Sequence, residues 1–252
     1  MCTLVILRRP GHAWPVIIGA NRDEMIDRPS RAPDRHWSDR PDVVGGLDEL
    51  AGGSWLAVNA HGVAAGILNR IDSLGPLAGR RTRGELVLEA VDHADAEAAA
   101  AALRELEPAS YRPFNLVVAD DRDAFWLRHA DPTGVMPITV HPLPVGLSMI
   151  TSGDLNDMRS PRIRDYLPRF SAAPPPDPER GDWIAWENLL ASDAGDPTVG
   201  PRAAMNFATE SGFATVSSAL IALPLLGRRG IHPLFRFAAR RPTASPWHET
   251  KV

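Results

Sequence analysis

The chain has 252 residues, a formal net charge of −4 and a pI near 6.1, a balance that excludes an extended basic footprint for nucleic acid. Its single cysteine excludes an internal disulfide, and its longest apolar run, residues 218–226, is too short to span a bilayer, so no stable membrane insertion is expected. Arg8 and Arg9 follow the first apolar run rather than preceding it, the reverse of a secretory signal, and a cytoplasmic protein is expected. This length suits one sizeable core, and a single domain over residues 1–252 is expected. Of the 27 basic residues only Lys251 is a lysine, which points to a GC-rich, bacterial coding sequence and weakens Arg80-Arg81 and Arg228-Arg229 as signs of an anion site.

In chain order, two apolar runs, residues 3–7 and 15–20, flank the turn dipeptide Pro10-Gly11 and predict a β-hairpin. Antiparallel pairing brings Cys2 at the open end of the first strand to the polar tetrad Asn21-Arg22-Asp23-Glu24 at the end of the second. Parity puts Cys2, Leu4 and Ile6 on one face and Thr3, Val5 and Leu7 on the other; both are apolar, so the sheet must be covered on both sides. Residues 25–42, rich in Pro, Arg and Asp, read as a long loop. A second hairpin is expected from residues 54–59 and 63–69, ending on Asn69-Arg70. A helical period then starts at Thr82, an expected N-cap with Glu85 completing a capping box, and runs through the alanine-rich stretch to residue 106.

Residues 114–119 and 124–128 predict a third hairpin, and 135–140 with 145–150 a fourth. Helices are expected at 158–170 and 183–190, an irregular stretch at 195–212, and a strand pair at 215–224 and 234–238 before a polar tail. Hairpins rather than βαβ units, with helices between them, favour antiparallel sheets with helices segregated outside: an α+β fold.

A thiol at the second position suits an N-terminal nucleophile. Once Met1 is removed, the α-amine of Cys2 has an ordinary pKa of about 7.7–8.0 and serves as base. Arg22 would lower the thiol pKa and hold an anionic group, and Asp23 would orient the amine. Because adjacent strand residues face opposite sides, either Asn21 or Arg22 shares the thiol's face. The competing account makes Cys2 a small core residue and Arg22-Asp23 a surface ion pair. No GxSxG, Walker, HExxH or SxxK motif is present, the eight histidines are scattered singly so that no metal site is expected, and the seven tryptophans read as core.

Cys2 with the following LVI strand and the NRDE tetrad (Asn21, Arg22, Asp23, Glu24) resembles the NRDE family, also called the transport-and-Golgi-organisation protein 2 family. Residues 52–59 (GGSWLAVN), 59–70 (NAHGVAAGILNR) and 212–224 (GFATVSSALIALP) extend the resemblance. It implies a four-layer αββα sandwich of the N-terminal-nucleophile hydrolase type, related to choloylglycine hydrolases and penicillin V acylases. It also implies a catalytic set of Cys2, Arg22, Asp23 and Asn69, the last as an oxyanion donor, with Asn21, Glu24, Arg70 and Ser152 around a small-molecule substrate. Two positions depart from the acylase pattern: Ser152 stands where those relatives carry asparagine, and Val216 where they carry arginine. The implied function is hydrolysis of a small amide or acyl bond by Cys2. The alternative is a non-catalytic carrier of haem or lipid such as acyl-CoA, with haem as cargo rather than resident cofactor, and a third reading is a pseudoenzyme.

Overall fold

The computed structural model describes residues 2–252. Two antiparallel sheets pack face to face, each covered on its outer side by a pair of helices. The first sheet is built on β1 (Thr3–Arg8) and β2 (Val16–Met25), the hairpin turning at Pro10-Gly11. The second holds β3 (Ser30–Asp34), β4 (Val43–Asp48), β5 (Leu56–Asn59), β6 (Ala64–Asn69), β7 (Phe114–Ala119), β8 (Ala124–His129) and β9 (Thr139–Pro142), in that spatial order. The chain then returns to the first sheet, where β10 (Gly146–Ile150) lies beside β1, and β11 (Phe213–Leu223), β12 (Leu234–Ala239) and β13 (His248–Lys251) extend from β2.

Strand parity separates the layers as the hairpin's two apolar faces require. Leu4, Ile6, Ile18 and Ala20 meet Val44, Leu56, Leu68 and Val117 between the sheets. Val5 and Ile17 point outward onto α3 (Pro161–Ala172) and α4 (Ile184–Ala191), against Ile163, Tyr166 and Trp186. On the other outer face, α1 (Gly84–Val91) and α2 (Ala96–Arg104) cover Ala57, Ala65 and Leu116. Each buried leucine or isoleucine in such a core contributes about 1.5–3 kcal/mol over its exposed state. Among the described residues no helix is long and apolar enough to cross a membrane.

Several expectations are corrected. β2 does not end at Ala20 but runs through the whole tetrad to Met25, because β11 pairs with it along its length. The stretch expected as a loop contains β3, an edge strand exposed except at Pro33, so it carries no apolar period, and its proline sits where an edge tolerates one. Gly45 and Gly46 lie inside β4: a Cβ at Gly46 would stand 2.2 Å from the Trp55 ring. The expected fourth hairpin is absent, since β9 pairs with β8 and β10 with β1, one in each sheet. The polar tail holds β13, paired to β12. Thr82 is not the helix cap. The cap is Arg83, and Glu85 is taken by Tyr111, whose hydroxyl donates at 2.6 Å.

Candidate active site

In the first hairpin Thr3 pairs with Asn21, so one step further along both strands sets Cys2 beside Arg22, and the inward parity of Leu4 and Ala20 carries to both. Arg22, not Asn21, therefore shares the thiol's face. Asn21 turns outward and donates to the carbonyls of Leu190 and Met205, both at 2.9 Å, which fixes α4 and its following loop to the sheet. Asp23 also turns its carboxylate outward. There Oδ1 accepts from Thr215 Oγ1 at 2.8 Å and Oδ2 from Arg162 Nη1 at 2.8 Å. The same Arg162 nitrogen donates to Thr3 Oγ1 at 2.6 Å, so α3 grips both strands immediately beside Cys2.

A bulge makes this arrangement possible. Arg22 pairs with Ser217 and Asp23 with Thr215, leaving Val216 as the extra residue of β11. The Val216 carbonyl accepts from the backbone amides of Arg240 and Arg241, and its side chain borders a second cavity with Ser217 and Phe237, so no guanidinium side chain starts at this point of the strand.

Cys2, Arg22, Asp23, Glu24 and Asn69 border one cavity of about 440 Å3 at the open end of the sandwich. The Cys2 thiol donates to the Asp23 carbonyl at 3.7 Å. Burial pushes this thiol up, the Asp23 charge adds to that shift, and Arg22 opposes it. The direction is opposite to the one expected from Arg22 alone, because taking a thiolate out of water outweighs one nearby cation. Arg22 is itself held on three sides: its guanidinium carbon lies 4.1 Å from the centre of the Trp55 ring, Nη1 donates to Ser30 Oγ at 2.9 Å, and Nη2 meets Asp48 Oδ2 at 3.4 Å. Asp48 also takes Arg28 Nε at 2.8 Å, while Glu24 stands 3.8 Å from the same nitrogen.

Asn69 ends β6 on the cavity wall, and among the described residues its amide has no protein partner. Arg70, the next residue, lies outside the cavity. It donates to Asn115 Oδ1 and Asp154 Oδ1, each at 2.6 Å, and to the Gly153 carbonyl at 3.2 Å. Ser152 is buried away from the cavity, where its carbonyl accepts from the Ile71 amide at 3.1 Å and ties the loop after β10 to the end of β6. Arg70 and Ser152 thus brace the strand end that carries Asn69 and do not line the cavity.

Four residues of the site are missing from the sequence reading: Arg28, Asp48, Trp55 and Arg83. Asp48 lies two residues after Gly45-Gly46 and Trp55 two after Gly52-Gly53, and a glycine whose Cβ would meet an indole is the signal that marks Trp55 as fitted. Arg83 reaches the cavity because the start of α1 docks on the approach to β5. The Ser54 amide donates to the Gly84 carbonyl at 3.0 Å, and a Cβ at Gly53 would stand 2.4 Å from the Gly84 carbonyl carbon.

Solved structures with this fold include the Caenorhabditis elegans N-acylethanolamine-hydrolysing acid amidase orthologue, with TM-score 0.59 and 13% identity over 90% of this chain and 94% of that one. Penicillin V acylase from Agrobacterium tumefaciens superposes with TM-score 0.55 and 13% identity over 100% and 86%, and a C2A mutant of the conjugated bile acid hydrolase from Clostridium perfringens with 0.56 and 10% over 100% and 92%. These likenesses show the fold, that of the N-terminal-nucleophile hydrolases. In sequence, the Bos taurus Transport and Golgi organization protein 2 homolog is 34% identical over 114 residues, 43% of this chain and 40% of that protein. The Homo sapiens homolog is 32% identical over 113 residues, with the same shares. The match thus spans well under half the length of these relatives. The profile of the Transport and Golgi organisation 2 family matches residues 1–165, and the chain belongs to that family.

Proposed function

We propose that Cys2, freed at its amine by removal of Met1, is the nucleophile of a hydrolase acting on a small amide. The observation that carries this reading is the meeting of the Cys2 thiol, the Arg22 guanidinium and the unpartnered Asn69 amide on the wall of one cavity. The amine takes the thiol proton, and sulfur bonds to the carbonyl carbon while the carbonyl oxygen becomes an oxyanion facing the Asn69 amide. The C–N bond then breaks, the leaving amine takes the proton, and water cleaves the thioester to a carboxylate, regenerating the thiol. Asp23, held by Arg162 and Thr215, orients the amine from the far side of the strand.

Met1 lies outside the described residues. Intact-mass analysis of protein expressed without an N-terminal tag tests the reading together with release of aminocoumarin from N-acyl aminocoumarins. Loss of Met1 and turnover abolished in Cys2→Ala support it; a retained Met1 removes the amine as base and overturns it.

One observation favours the carrier reading: burial holds the thiol protonated near neutral pH, so the unprocessed chain presents an unreactive cavity wall. Saturable binding of haem or acyl-CoA that is unchanged in Cys2→Ala, with no turnover by the wild type, is the outcome expected of a carrier.

A further inference from the structure

Arg83 is a half-buried cation that the folded chain leaves half used. Its Nη1 is saturated, donating to the Ser73 carbonyl at 2.7 Å, to Ser73 Oγ at 3.0 Å and to the Pro113 carbonyl at 3.0 Å. Ser73 Oγ is fixed in turn by donating to the carbonyls of Arg70 and Pro113, both at 2.8 Å, so the anchor is rigid. Nε and Nη2 take no protein acceptor and are not sealed from solvent, and Arg83 lines the Cys2 cavity. Among the described residues no carboxylate pairs with it, in contrast to Arg22 and Arg28, which share Asp48. Burial, with Arg112 nearby, pushes the guanidinium down to about 10, so it stays charged near neutral pH.

We propose that Arg83 is the substrate-recognition residue of the cavity and takes an organic carboxylate, so that the ligand is an N-acyl compound that carries a carboxyl group. Nε and Nη2 form the side-on edge of a guanidinium, two parallel donors whose spacing matches the two oxygens of a carboxylate. Of the other arginines on this wall, Arg112 is spent on the carbonyls of Asp72 at 2.9 Å and Gly75 at 3.0 Å, and Arg80, which also has no carboxylate partner among the described residues, donates Nη2 to the Pro132 carbonyl at 3.4 Å. The anchor also needs no rearrangement on binding, since Nη1 keeps its three acceptors.

This inference rests on the cavity being the substrate site, but its test does not require turnover. Calorimetric titration of full-length Cys2→Ala uses N-hexanoylglycine and its uncharged counterpart N-hexanoylglycinamide. The acid is expected to bind about tenfold tighter than the amide, and Arg83→Gln in the Cys2→Ala background to remove that preference while leaving amide affinity within about twofold. Arg83→Lys, which keeps the charge without the fork, is expected to fall between, and it serves if the glutamine variant does not fold. Arg180→Gln, a surface change outside the cavity, controls for net charge. Equal binding of acid and amide, a preference that survives in Arg83→Gln, or no binding of either compound overturns the proposal. A carboxylate preference lost with Arg83, alongside a wild type that cleaves neither compound, upholds Arg83 and counts against the hydrolase.

Discussion

Arg162 and Asp23 meet at 2.8 Å with side chains 1% and 0% exposed, on the face of the sheet opposite the Cys2 thiol. A buried pair of this kind adds little over an apolar replacement, but removing one member takes a close counter-charge from the other. Arg162→Met is therefore expected to lower unfolding free energy by about 3–5 kcal/mol, read from urea denaturation. The paired change Arg162→Met with Asp23→Leu should recover much of that loss. Additive losses would show that the two residues act independently.

The Cys2 thiol should titrate above the ordinary value of about 8.5, because burial disfavours the thiolate. Iodoacetamide labelling of chain retaining Met1, followed by intact mass against pH, is expected to give a midpoint above that value. Arg22→Ala should move it higher still by removing a cation that favours thiolate. The linkage sign follows: a raised pKa stabilises the fold below the unfolded value, and that contribution fades as pH climbs toward the folded one. Wild type should therefore lose stability relative to Cys2→Ala as the pH rises above the ordinary thiol value of about 8.5, and a constant difference would refute the shift.

Asn69→Ala is expected to lower kcat by about 10²–10³ with KM little changed, the signature of an oxyanion donor. Circular dichroism should match wild type, because among the described residues the Asn69 side chain makes no hydrogen bond and its strand pairing is through the backbone. A loss confined to KM would reassign Asn69 to ground-state binding.

Gly46→Ala places a methyl group 2.2 Å from the Trp55 indole and forces the ring off Arg22. The expected cost is about 1–3 kcal/mol, with a change in tryptophan emission and faster alkylation of Cys2 as the cavity wall loosens. Unaltered emission and labelling would mean that the indole and guanidinium move together.

The hairpin and the outline of the sandwich were legible in the sequence because parity is local: Leu4 and Val5 announce two buried faces without knowledge of what covers them. Cys2 and Arg22 came together for the same reason, a register set by one turn. The roles read onto Asn21, Arg70 and Ser152 rested on resemblance, and how these residues are held depends on partners 45 or more residues away: Leu190, Asn115 and Ile71. Arg83 was hidden among 26 arginines, since its unused Nε and Nη2 on the cavity wall follow from how α1 docks, which no spacing records. β3 escaped notice because an exposed edge strand has no buried face to impose a period.

The placement of β10 has a consequence for biosynthesis. β1 is an interior strand, with Leu4 opposite Ala20 on one side and Ile150 on the other, yet the second neighbour is translated about 7–30 s after the first at typical elongation rates. Through that interval the segment that carries Cys2 has one open row of amides and carbonyls on the ribosome. It is then accessible to an aminopeptidase acting on Met1 and exposed to pairing with other nascent chains. Closure by β10 ends both opportunities together, which makes the order of trimming and folding a kinetic property of where the chain crosses from one sheet to the other.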